Sequence, residues 1–238
     1  MNVSIGMAVN EKALDANMAH TDFVLLPEMF NCDYSADGLT VLSPTNAVLE
    51  YLIGYSRRES QIYLIAGTLP LTHGSSGKPR NESLTLHKGE IVHRVSKIHL
   101  FKPINDQELF ERGEYRGGFT ATVRDTKIRC GVIVCYDLRF PELTRKLAME
   151  GLDILFVPAY WNIERDLAWK TLLRARALEN QIFVVGCNGD GKSYSFAPDG
   201  RCCYESDGII ESCKFDIELS EIAEARKFLN TLDDTCLM

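Results

Sequence analysis

Short apolar runs rich in β-branched residues recur along the chain at Val3 to Val9, Phe23 to Leu26, Ile62 to Ala66, Ile128 to Val134, Ile154 to Val157 and Ile182 to Val185. Each is bounded by Gly, Pro, Asp or Asn, which punctuate strands. Runs apolar at nearly every position read as strands buried on both faces. Between them the apolar spacing becomes helical, at Thr45 to Ser60, at Pro141 to Glu150 with Pro in the first turn, and at Glu164 to Asn180 with Leu167, Ala168, Leu172, Ala175 and Leu178 on one face. Alternation of this kind packs helices against sheets, so an α/β fold is expected. Thr85 to His93 reads as a hairpin turning at Lys88-Gly89, so the sheets should be mixed.

With 238 residues, no internal repeat and no linker-like stretch longer than Thr72 to Pro79, a single domain over 1–238 is expected. Lys and Arg number 26 against 33 Asp and Glu, a net charge of −7 without a basic run, which argues against a nucleic-acid partner. In the opening segment Asn10-Glu11-Lys12 ends the apolar stretch well short of a signal or anchor, so no membrane association is expected. The eight cysteines contain no C-x-x-C pair, which points to reduced thiols in a cytoplasm rather than to zinc or a redox motif.

The segment from Lys127 to Leu143 carries the most chemistry. A strand ends near Cys135 and a helix opens near Pro141, a corner that presents a thiol at the sheet edge and favours its thiolate. Cys is also a small hydrophobe that packs at strand ends, as Cys130 does inside the same run. A nucleophilic thiol needs a base and an oxyanion partner. Glu28 follows a buried strand at the edge where open α/β sheets gather their sites, and Lys97 sits between apolar neighbours. Taken singly, each of these two reads better as a solvated strand-end charge; with Cys135 the three together read as a site.

The segments Leu26-Pro27-Glu28, Ser96-Lys97-Ile98-His99-Leu100-Phe101 and Cys135-Tyr136-Asp137-Leu138-Arg139-Phe140-Pro141-Glu142 resemble the nitrilase superfamily of carbon-nitrogen hydrolases in order and spacing. Val157 to Trp161 and Leu173 to Gln181 extend the likeness over nearly the whole chain. The resemblance implies a four-layer α-β-β-α sandwich that dimerises, with Glu28 as general base, Lys97 as oxyanion stabiliser, Cys135 as nucleophile, and neither cofactor nor metal. Tyr136, through its backbone N–H, Arg139 and Trp161 join as supporting or substrate-binding residues. The pattern departs at the second carboxylate, where a Glu is usual: Asp106 stands at the matching distance from Gly113, and Glu108 two residues later. The Cys135 to Glu142 segment is similar to the branch of ω-amidases and deaminated-glutathione amidases, which act on small amides with a distant carboxylate. Arg139, and Arg174 or Arg176, are the candidate carboxylate anchors, with salt bridges to Glu164 or Glu179 as the alternative for the helical pair. A nitrile or N-carbamoyl substrate stays open.

Two decoys compete. Gly186-Cys187-Asn188-Gly189-Asp190-Gly191-Lys192-Ser193 fits the pattern of a phosphate-binding P-loop, but such a loop needs a helix opening at the Lys, whereas Pro198 and Gly200 follow closely and the alternation indicates a hairpin. His87, His93 and His99 are spaced by six, which matches no metal-binding face, and read as structural.

Overall fold

The computed structural model describes residues 1–14, 18, 20–35, 38–73 and 77–236. The first half runs β1 (Asn2–Ala8), β2 (Phe23–Leu25), β3 (Cys32–Ser35), β4 (Gly38–Val41), α1 (Thr45–Arg58), β5 (Tyr63–Ile65), β6 (Leu69–Leu71), β7 (Arg80–His87), β8 (Glu90–Ser96) and the short α2 (Asp106–Leu109). The second half runs β9 (Phe119–Val123), β10 (Thr126–Val132), α3 (Pro141–Met149), β11 (Ile154–Ala159), α4 (Asp166–Asn180), β12 (Phe183–Asn188), β13 (Tyr194–Phe196), β14 (Cys202–Glu205), β15 (Ser212–Glu218) and α5 (Ser220–Phe228).

One sheet has the order β15-β1-β2-β5-β7-β6, with β8 also on β7; the other is β14-β13-β12-β11-β10-β9, and β3–β4 form a separate ribbon. Both large sheets are mixed: β1, β2 and β5 run parallel in the first and β10, β11 and β12 in the second, with antiparallel neighbours outside them.

Side chains alternate across a strand, and this sorts the core into layers. Val3, Ile5, Phe23, Leu25 and Ile65 of one sheet pack against Ile128, Val132, Phe156 and Val185 of the other. Phe23 and Phe156 meet across the gap with ring centroids 5.3 Å apart. The opposite faces carry Val24, Leu26 and Leu64 against Val48, Leu52 and Tyr55 of α1, and Leu155, Val157 and Val184 against Leu147 of α3 and Trp169, Leu173 and Ala177 of α4. The order is therefore helix, sheet, sheet, helices: the expected four-layer α-β-β-α sandwich. Strands buried on both faces have no polar face to show, which is why their sequences read as continuous apolar runs.

Lys88 and Gly89 take positive φ of 55° and 79°, the turn that matches the twist of the β7–β8 hairpin. The alternation after Lys192 is borne out as strand β13, whereas β14 and β15 were not legible as such, since both are half-exposed and β15 pairs with β1 from the far end of the chain. Among the described residues no helix is long and apolar enough to cross a membrane. Leaving its strands, the chain enters Pro27-Glu28 after β2, Lys97 after β8, Cys135 after β10 and Tyr160 after β11.

Candidate active site

Glu28 is fully buried, and its two oxygens are saturated with donors. Oε1 accepts from Lys97 Nζ at 2.9 Å and from Asn81 Nδ2 at 2.7 Å, while Oε2 accepts the Tyr160 N–H at 3.0 Å. Lys97, also buried, donates a second bond to Asp106 Oδ2 at 2.8 Å, and that oxygen takes the Phe101 N–H at 2.9 Å. An ammonium thus sits between two carboxylates. Burial of such charges is tolerable only when each is paired and hydrogen-bonded, as here.

Cys135 occupies a left-handed corner, with φ of +46°, at the start of a short turn over Cys135–Arg139. A non-glycine residue there is strained and must be held by its surroundings. Asp137 supplies the restraint: its carboxylate accepts the N–H groups of Val134 (3.1 Å), Ile98 (3.3 Å) and His99 (2.8 Å), and lies 2.8 Å from His99 Nδ1. One side chain therefore ties the Cys135 corner to the segment carrying Lys97. On the far side Arg176 donates two bonds to the Leu138 carbonyl, at 3.1 and 2.8 Å, and pairs with Glu179 at 2.9 Å.

The thiol does not rest as the thiolate that the corner alone favours. Burial pushes the Cys135 thiol well above its ordinary value of 9.0; the Glu28 carboxylate, charged and hydrogen-bonded to it, pushes further, and Lys97 opposes. Helix α3 opens only at Pro141, too far along to offset this. Resting Cys135 is a neutral thiol beside a carboxylate, a pair suited to deprotonation during attack.

The Cys135 cavity is lined by Phe101, Arg139, Tyr160, Trp161 and Arg165. Arg139 stacks over Trp161 at 4.9 Å and Arg165 over Phe101 at 5.3 Å. A larger cavity, about 670 Å³, contains none of Glu28, Lys97 or Cys135, and its Arg80, Arg94 and Arg116 already face Glu111, Glu82 and Glu114.

Of the sequence candidates, Glu28, Lys97, Asp106 and Cys135 come together, and Arg139 and Trp161 line the mouth. The half-buried Tyr136 packs its ring against Phe101 and Phe140. Glu108 is exposed, so the carboxylate on Lys97 is Asp106. Arg176 makes the salt bridge to Glu179, the alternative to an anchor, and Arg174 is exposed on α4. Asn81 and Arg165 were missed, and the sequence offered no signal for either: Asn81 stands between Arg80 and Glu82 in a polar opening of β7, and only the structure buries it. The decoys resolve as well. No helix opens at Lys192, which reaches Glu205 at 3.3 Å ahead of strand β13, while His87 stacks on Tyr63 and His93 packs on Phe119.

A buried carboxylate, ammonium and thiol gathered at the strand ends of an α-β-β-α sandwich describe a hydrolase of carbon–nitrogen bonds that works through cysteine. The carbon-nitrogen hydrolase family model matches residues 4–227, and the chain belongs to that family. It is 28% identical over 234 residues to the 2-oxoglutaramate amidase of Bacillus subtilis, covering 93% of this chain and 87% of that protein. It is 31% identical over 211 residues to omega-amidase YafV of Escherichia coli K12, covering 85% and 78%. The solved structure of Saccharomyces cerevisiae Nit3, a member of branch 10 of the nitrilase superfamily, superposes with a TM-score of 0.80 at 24% identity over 96% of this chain and 94% of that one.

Proposed function

We propose that this chain, acting as one catalytic domain over 1–238, hydrolyses the ω-amide of a small dicarboxylic acid and releases ammonia. The observation that carries the substrate class is the mouth of the thiol cavity, where Arg139 and Arg165 stand without an ion-pair partner among the described residues, each guanidinium laid on an aromatic ring. Two such forks match a carboxylate at the end of the substrate remote from the amide. The relatives named as 2-oxoglutaramate amidase and omega-amidase support the same class.

In this reading Glu28 takes the Cys135 proton as sulfur attacks the amide carbon. Lys97 Nζ, held by Asp106, and the backbone N–H of Tyr136 stabilise the oxyanion. Collapse breaks the C–N bond, Glu28 returns the proton to nitrogen, and ammonia leaves a thioester on Cys135. Water, deprotonated by Glu28, then attacks the thioester, and the departing sulfur regains its proton as the acid is released.

The homodimer and the cytoplasmic location belong to the same proposal. Ile163, Leu167 and Leu178 are exposed on and just before α4 and offer an apolar face to a second copy, and the eight cysteines are free thiols, which suits a reducing compartment.

The test is ammonia release across ω-amides of dicarboxylic acids, glutamine, simple aliphatic amides, ureido acids and nitriles. Dicarboxylate ω-amides should turn over best. Arg139→Ala and Arg165→Ala should each raise KM for them by roughly 10- to 100-fold, as for a lost charged hydrogen bond, and leave aliphatic amides untouched. Equal loss on both substrate types would remove the anchor from the reading.

A further inference from the structure

The segment that imitates a phosphate-binding loop has another use. The β11–β12 ladder ends at the pair Ala159 and Asn188. Beyond it the Asn188 side chain, on a residue only 2% exposed, supplies the donor and acceptor that the next backbone pair would have made. Its Oδ1 accepts the Trp161 N–H at 2.8 Å and its Nδ2 donates to the Trp161 carbonyl at 2.8 Å. Oδ1 also takes the Asp190 N–H at 3.1 Å, and the Asn188 N–H donates to Ser193 Oγ at 3.0 Å.

This grip reaches the reacting groups through two consecutive peptides. A peptide unit is planar and trans, so its N–H and C=O point in opposite directions. With the Trp161 N–H held by Asn188, the Tyr160 carbonyl of the same unit is aimed at Cys135 Sγ, 3.9 Å away. One unit earlier, the Tyr160 N–H donates to Glu28 Oε2 at 3.0 Å. The glycines of the pattern make room for this wall. A Cβ on Gly191 would lie 2.9 Å from Asn188 Nδ2 and 3.2 Å from the Trp161 oxygen, and one on Gly189 would lie 3.2 Å from the Tyr160 ring and 3.5 Å from Pro27.

We infer that Asn188 is a positioning residue for C–N bond cleavage: by holding the Tyr160–Trp161 peptide it sets the carboxylate of Glu28 and the thiol of Cys135 relative to each other. The inference rests on the reading of Glu28 as base and Cys135 as nucleophile given above.

The experiment compares Asn188→Ala, Gly191→Ala and Ser193→Ala with the wild-type chain, using a five-carbon dicarboxylic acid ω-amide. Small displacements of reacting groups cost up to about 100-fold in rate, so kcat in Asn188→Ala should fall by roughly 10- to 100-fold with KM within about threefold. Gly191→Ala presses a methyl against the same amide without removing it, and should show the same split. It also carries the test if Asn188→Ala fails to fold. Ser193→Ala loosens the same turn but leaves the grip, and should stay within about threefold of wild type in both constants. A substrate-free readout is alkylation of Cys135 by iodoacetamide, which should quicken at least about threefold in the first two variants, where the wall over the buried thiol loosens, and not in the third. Wild-type kcat in Asn188→Ala and Gly191→Ala, or an equal loss in Ser193→Ala, overturns the inference. A wild-type chain that releases ammonia from no amide overturns the functional reading instead, and the alkylation rates then still decide whether Asn188 sets the thiol wall.

Discussion

Replacing Lys97 with Met removes the cation between two buried carboxylates while keeping length and apolar packing. The ammonium lies 2.9 Å from Glu28 and 2.8 Å from Asp106. At an effective dielectric of about 20, each contact is worth roughly 6 kcal/mol before desolvation is subtracted. Removing one partner of a buried pair costs about 3–5 kcal/mol in practice, since the survivor stays buried and uncompensated. For a chain of this size that corresponds to a fall in Tm of about 6–20 °C. Turnover should fall by about 10² or more, as for loss of a strong oxyanion donor. Structure and chemistry are separated by the double variant Lys97→Met/Asp106→Asn, which relieves one of the two stranded carboxylates. Thermal melts should recover a substantial part of the lost stability, while ammonia release stays at the level of the single variant. If Lys97→Met melts like wild type, the charges are not buried together as described. If the double variant regains activity along with stability, the ammonium is structural and the oxyanion role is wrong.

Other outcomes follow from the same geometry. Cys135→Ala should keep the wild-type melt and release no ammonia, with no acyl adduct in intact-mass spectra. Because Glu28 raises the Cys135 thiol and Lys97 lowers it, Glu28→Gln should speed alkylation by iodoacetamide at pH 8 while abolishing turnover, and Lys97→Met should slow it; peptide mapping that finds Glu28→Gln slower would refute the sign. Burial holds Cys130, Cys135 and Cys187 well above the ordinary 9.0. Their folded values lie above the unfolded one, so the stability they contribute is complete below about pH 8 and drains away as pH rises past 9. A pH series of melts should show that alkaline fall, reduced in Cys130→Ala relative to that variant's own value at pH 7.

The doubly buried strands and the candidate site residues at their ends were legible because they depend on local pattern. Apolar runs buried on both faces announced β1, β2, β10, β11 and β12; Glu28 and Cys135 each follow such a run within a few residues, and Lys97 follows the hairpin that Lys88-Gly89 announced. Half-exposed strands such as β14 and β15 carry no comparable signal, since their partners, not their own composition, make them strands.

What the sequence determined by itself was which chemical groups stand at the strand ends; what the tertiary structure decided was which of them meet. Asp106 and Glu108 illustrate the division. Residues two apart on a helix point about 200° apart, so once α2 starts at Asp106 and turns that carboxylate onto Lys97, Glu108 must face solvent. Nothing in the local string says where that short helix begins. The same holds for Arg176, taken by the Leu138 carbonyl and Glu179, and for Arg165, which lines the mouth instead. It holds above all for the thiol, whose protonation answers to burial and to a carboxylate more than a hundred residues away in sequence. Side-chain type and strand face are local properties, but hydrogen bonds and charge interactions fall off within a few ångströms, and such distances between remote residues exist only once the sheets have packed.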